Sequence, residues 1–137
     1  MINRLRVVAR LVLGAFLLYA GVGHLSFARA EFQAQVPAWL PLDADFVVIA
    51  SGVVEIALGI GLWLQSGVVP WVGLAAAAFF IAIFPGNIHQ YIAGIDAFGL
   101  DSDQARFIRL FFQPVLVLWA LWSTRALSLF RRRQRAL

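Results

Sequence analysis

Residues 45 to 64 read DFVVIASGVVEIALGIGLWL, and after only Gln65-Ser66-Gly67 the chain continues at residues 68 to 93 with VVPWVGLAAAAFFIAIFPGNIHQYIA. Each run has the length a helix needs to cross roughly 30 Å of hydrocarbon at about 1.5 Å per residue. Three residues between two such runs permit nothing but a tight turn, so the two are expected as antiparallel neighbours. Comparable runs lie on either side. One extends from Leu5 to Phe27, preceded by Arg4 and Arg6 and interrupted by Arg10, and the other from Ala105 to Leu127. The expected fold class is all-α: an integral-membrane antiparallel four-helix bundle with spans of about 5–27, 45–64, 68–93 and 105–127, forming one domain over residues 1–137.

Composition agrees with this reading. The 137 residues are 62% hydrophobic and 13% charged, with a mean hydropathy of +0.85. That excludes a disordered segment and leaves no room for a sizeable water-soluble domain, since four spans of about 20 residues leave roughly 57 for termini and loops. Cysteine is absent, which rules out thiol–disulfide exchange, thiolate metal sites and a disulfide framework. A cleaved signal peptide is the competing reading of the first run, with Ala28-Arg29-Ala30 imitating a cleavage site. The run is longer than a signal core, and three further spans need it as a packing partner.

All eleven basic residues are arginine. Arg4, Arg6 and Arg10 flank one end of the chain and Arg125, Arg131, Arg132, Arg133 and Arg135 the other, whereas the two opposite loops hold Glu31, Asp43, Asp45, Asp96, Asp101 and Asp103 against Arg29 and Arg106. Basic flanks are retained inside, so both termini are expected in the cytoplasm of a bacterial-type inner (cytoplasmic) membrane. Trp63, Trp71 and Trp122 then fall near the inner interface and Trp39 near the outer one, as in an aromatic belt. The tail Phe130-Arg131-Arg132-Arg133-Gln134-Arg135 reads as a topology anchor attracted to anionic lipid. No base-reading element accompanies it, so nucleic acid is not an expected partner.

Polar residues within the apolar runs carry the functional information: His24 in the first, Ser51 and Glu55 in the second, Asn87, His89 and Gln90 in the third, Arg109 and Gln113 in the fourth. An ionised group at mid-bilayer costs about 2.5–3.5 kcal/mol on insertion scales, so such groups face the interior and find partners. Counted from the outer ends at about 1.5 Å per residue, Glu55 lies at roughly 15 Å, Gln113 at about 12 Å and Asn87 at about 9 Å, with His24, His89 and Arg109 at roughly 5–6 Å. All four spans thus contribute to one layer in the outer half. Arg109 and Gln113 share a helix face, and the guanidinium is expected to reach towards Glu55. Pro85-Gly86-Asn87 is expected to break the third span beside that layer.

Two readings of the layer compete: a buried hydrogen-bonded lock that sets helix register, and an outward-opening pocket for an amphipathic ligand such as a quinone. A proton relay through Glu55 and His24 lacks an acidic continuation to the inner side. A two-histidine, one-carboxylate metal site from His24, His89 and Glu55 lacks a spacing motif, and no metal is assigned. The outer segment Val36-Pro37-Ala38-Trp39-Leu40-Pro41 is too apolar for a free loop. It is expected to lie at the membrane interface, with Pro37, Trp39 and Pro41 as a candidate lid over the layer. Gly21, Gly23 and the stretch Gly73 to Ala78 read as helix-packing surfaces.

Taken in order, Gly21-Val22-Gly23-His24, Val36-Pro37-Ala38-Trp39-Leu40-Pro41, Ser51-Gly52-Val53-Val54-Glu55, Phe84-Pro85-Gly86-Asn87-Ile88 and Arg109-Leu110-Phe111-Phe112-Gln113 resemble the DoxX family of small four-helix membrane proteins, over about Leu11 to Trp122. The resemblance marks His24, Glu55, Asn87, Arg109 and Gln113 as a polar core. It departs at Phe111, where the family commonly has proline, with Pro114 following the glutamine instead. It implies a redox-associated membrane component, the family name deriving from a subunit of a thiosulfate:quinone oxidoreductase. The resulting expectation is a protein without catalytic residues of its own that binds a quinone or lipid-like ligand. It would act as an accessory subunit of a quinone-linked oxidoreductase, with membrane lipids, a redox-enzyme subunit or a second copy of itself as partners. A structural scaffold and a small-solute transporter are the alternatives.

Overall fold

The computed structural model describes residues 1–64, 67–96, 99 and 102–136. Seven helices succeed one another: α1 (Ile2–Leu25), α2 (Arg29–Gln35), α3 (Ala44–Trp63), α4 (Val69–Ala82), α5 (Phe84–Ala93), α6 (Asp103–Thr124) and α7 (Ser128–Ala136). There is no strand among the described residues. Four helical segments are long and apolar enough to cross a membrane: Ile2–Leu25, Ala44–Trp63, Val69–Ala93 and Asp103–Thr124. The Gln65-Ser66 part of the expected tight turn, and Asp101 among the loop acids, lie outside the described residues.

Local chemistry explains the helix ends. Asp43 and Ser102 cap α3 and α6, the Ser102 hydroxyl accepting from the Ala105 N–H at 3.1 Å. Pro70 and Pro85 each sit in the first turn of their helix, where no N–H is needed. Gly94 ends α5 in the left-handed region at φ 65°. The break expected in the third span falls at Ile83, between α4 and α5, rather than at Pro85-Gly86-Asn87 itself. Proline disrupts the turn before it, because its ring excludes the residue four positions earlier from normal pairing.

α1 packs on α3, α3 on α4, α4 on α6 and α6 on α1. Residue pairs show that α1 and α3 run in opposite directions. A Cβ on Gly59 would come within 2.8 Å of the Gly14 carbonyl oxygen, and one on Gly21 within 2.8 Å of that of Gly52. Backbone-to-backbone contact of this closeness admits no side chain, so both α1–α3 crossings depend on glycine. Leu13, Leu17, Leu62, Ala76, Ala77, Phe80, Leu116 and Ala120 form the apolar core.

At the end holding both termini, Arg10 is buried and donates to the Leu64 carbonyl at the end of α3. Trp63 and Trp119 donate to the carbonyls of Leu11 and Ala9 at 3.0 and 2.9 Å. The Arg6 guanidinium lies 5.5 Å from the centre of the Trp122 ring. Large apolar side chains such as Ile81, Phe111 and Leu118 point outward, whereas Arg10, His24, Glu55, Asn87, Gln90, Arg106 and Gln113 are buried. This inverted distribution suits a hydrocarbon solvent and not water.

The short helix α2 and the terminal helix α7 are additions to the expected elements. Arg106, counted above as a loop charge, belongs to the first turns of α6 and is buried. Its guanidinium pairs with Asp96 at 2.7 Å and Asp103 at 3.0 Å, holding the chain that enters α6 against the end of α5.

Candidate functional site

At the end of the helices away from the termini, a cavity of about 600 Å³ opens between α1, α3, α4, α5 and α6 under α2 and the segment that follows it. His24, Glu55, Asn87, Arg109 and Gln113 all line it, as does Ser51, and the remaining lining is largely apolar. Pro37 and Trp39 line it too, whereas Pro41 and His89 do not. Among the described residues, no group of three or more His, Cys, Asp and Glu side chains is arranged to hold a metal ion.

The polar groups divide into two sets. On the α1–α3 side, His24 Nδ1 lies 3.0 Å from the Val48 carbonyl oxygen, and Nε2 lies 3.2 Å from Glu55 Oε2. Both side chains are buried. The second contact is close but poorly aligned, and Glu55 Oε2 makes no hydrogen bond. The Phe32 ring of α2 stacks on the imidazole, with centroids 3.5 Å apart and planes 25° from parallel.

On the α5–α6 side, Gln113 is the hub. Its Nε2 donates to the Phe80 carbonyl at 2.6 Å, and its Oε1 accepts from Asn87 Nδ2 at 3.2 Å and from Arg109 Nη1 at 3.3 Å. Phe80 lies in the last turn of α4, beside the break, where backbone carbonyls lose their helical donors. The amide of Gln113 therefore satisfies an acceptor that the interrupted helix exposes.

This arrangement corrects the expected pairing of Arg109 with Glu55: Glu55 meets His24, and Arg109 meets Gln113. The expected depths of His24 and Glu55 differed by roughly 10 Å, yet the side chains touch. Helical side chains lean towards the N-terminus of their own helix. In antiparallel α1 and α3 that lean carries His24 deeper and Glu55 shallower, so they meet midway.

Phe32 and Gln35, which also line the cavity, are absent from the expected set. Gln35 donates to Gln90 Oε1 on α5 at 2.7 Å. Arg29 and Gln33 reach Asp45 on α3, with Arg29 Nε at 2.6 Å and Gln33 Nε2 at 2.7 Å from Oδ1. The Asp45 carboxylate holds the Arg29 guanidinium above its usual pKa, mainly through that hydrogen bond. Thus α2 is a strap tied to α3 by one face and to α5 by the other. The signal for it was the spacing of Arg29 and Gln33, and of Phe32 and Gln35, at helical intervals.

Fold and site together define a class: an all-helical protein with four segments able to cross a membrane and a polar-lined cavity at one end. The chain belongs to the family described as a domain of unknown function, DUF8561, whose model matches residues 13–124. That range includes every cavity residue named above. No curated protein and no solved structure matches the chain significantly.

Proposed function

We propose that this is a DoxX-like integral-membrane four-helix bundle that binds a quinone or similar lipid-like amphiphile in the cavity and serves a redox partner. One observation carries the reading. Polar side chains from α1, α3, α5 and α6 converge on one largely apolar cavity of about 600 Å³, a size within the usual range for small-molecule sites of about 300–1,000 Å³. A ligand carbonyl would accept from Arg109, whose guanidinium keeps donors beyond the one given to Gln113. The ligand's tail would lie against Phe16, Leu17 and Phe79. The arginine-rich end, with both termini, faces the cytoplasm of a bacterial-type inner membrane, and the cavity lies in the outer half of the bilayer. The chain has no cysteine, so thiol redox on the ligand would belong to the partner.

The test is native mass spectrometry of protein gently extracted from its own membrane, with identification of co-purifying quinones and lipids. A stoichiometric quinone or lipid, lost in Glu55→Ala or Arg109→Ala with the fold retained, is the expected result. Unchanged affinity in both variants would sink the proposal.

A scaffold is the second reading, favoured by the internal commitments of Gln113, whose amide ends are both used on Phe80, Asn87 and Arg109. It predicts a protein that co-purifies empty and keeps its cellular role when the polar residues are replaced together by apolar ones. A transporter predicts solute flux in proteoliposomes.

A further inference from the structure

Three ionisable side chains line the cavity among the described residues: His24, Glu55 and Arg109. Geometry constrains the protons of the first two. A backbone carbonyl can only accept, so His24 Nδ1, 3.0 Å from the Val48 oxygen, carries a hydrogen. The other nitrogen faces Glu55 Oε2 at 3.2 Å. An imidazole lone pair and a bare carboxylate at that separation repel, so the pair holds one further proton, on the imidazole or on the carboxyl, although the contact is too poorly aligned for a hydrogen bond. Either placement leaves the pair without net charge.

Arg109 adds a positive charge that nothing in the cavity balances. Its guanidinium donates to the neutral amide oxygen of Gln113, and among the described residues no carboxylate pairs with it. A guanidinium facing an apolar cavity is poorly stabilised without a counter-charge. Its planar fork is shaped to hold the two oxygens of a carboxylate or phosphate.

We infer that the occupant supplies this anion: the cavity takes a single-chain amphiphile whose head is an oxyanion, a carboxylate or a phosphate, seated on Arg109 with its chain along Phe16, Leu17 and Phe79. The inference rests on the ligand-pocket reading above and narrows it from neutral quinones to acidic amphiphiles. The His24–Glu55 pair, neutral as a whole, is compatible with such a head, because it adds no net negative charge to the cavity.

The experiment is competition binding read by native mass spectrometry, on the full chain in neutral detergent at a pH where carboxylic acids ionise. The probes are palmitate and hexadecanol in equal amounts, then palmitate with lysophosphatidate, then palmitate with decylubiquinone. Palmitate is expected to exceed hexadecanol and decylubiquinone by roughly tenfold or more, the worth of one charge-assisted hydrogen-bonded contact. Arg109→Gln should abolish that preference, bringing palmitate down to the level of hexadecanol, and Arg109→Lys should retain most of it. Preference for lysophosphatidate over palmitate supports the inference with phosphate as the head, and the reverse supports it with carboxylate. Hexadecanol or decylubiquinone binding as well as palmitate overturns the oxyanion and leaves the pocket reading standing. Binding of no probe overturns both. The wild-type competition decides by itself should Arg109→Gln fail to fold.

Discussion

His24 Nε2 lies 3.2 Å from Glu55 Oε2, and the same imidazole is anchored through Nδ1 to the Val48 carbonyl one helix away. The pair is buried between α1 and α3, with Phe32 stacked over the ring. Removing one partner strands the other in an apolar setting. His24→Leu or Glu55→Leu alone should therefore destabilise the protein by about 3–5 kcal/mol, whereas the double replacement should recover most of that loss. Equilibrium unfolding in mixed micelles checks this, and a double variant no more stable than the worse single one would contradict the pairing.

Gln113 connects three partners, one of them the Phe80 carbonyl beside the break in the third span. Gln113→Leu leaves that carbonyl without its donor, which should cost about 1–3 kcal/mol. Amide hydrogen exchange across residues 83–90 should accelerate while exchange in α1 stays as it is. Uniform acceleration along the whole chain would mean that Gln113 supports the fold in general and not the break.

The α4–α6 contact turns on Gly73, where a Cβ would lie 1.7 Å from Thr124 Oγ1 and 2.5 Å from Thr124 Cβ. Gly73→Ala should destabilise by about 1–3 kcal/mol through overpacking. Thr124→Ala removes the hydroxyl but keeps the clashing Cβ, so it should rescue poorly. Thr124→Gly should rescue well. Melting temperatures of Gly73→Ala and of its two double variants, set against the unsubstituted protein, measure the difference, and equal rescue by alanine and glycine would refute the assigned contact.

Because the chain has no cysteine, single cysteines report sidedness directly. Asn3→Cys and Ala136→Cys should react with a membrane-impermeant maleimide only from the cytoplasmic side. Asp43→Cys and Asp96→Cys should react only from the opposite side. All four positions are exposed. Labelling of Asn3→Cys and Asp43→Cys from one side would overturn the proposed topology.

The spans, their order and the polar residues of the layer are legible along the chain because each depends on local quantities. Helix length follows from the apolar runs, and a polar residue inside such a run must turn inward wherever its partner is. That reasoning brings His24, Glu55, Asn87, Arg109 and Gln113 to one layer without showing how they pair. The strap α2 was obscured because Pro37 and Pro41 dominate the reading of its loop, although Arg29–Gln35 precedes them and is free to coil. The basic tail reads as charge alone, yet Ser128–Ala136 is helical.

What the amino-acid order determined by itself is therefore the class of fold, four apolar helices with a polar layer at one end, since hydropathy and proline act on the residues that carry them. Only the tertiary structure decided that Glu55 meets His24, that Arg109 is left with the neutral Gln113, and that α2 closes over them. Those choices depend on the lean of side chains on antiparallel helices and on the close approach that Gly14, Gly21, Gly52 and Gly59 allow. Both are relations between segments distant in sequence, set by how two helix surfaces fit.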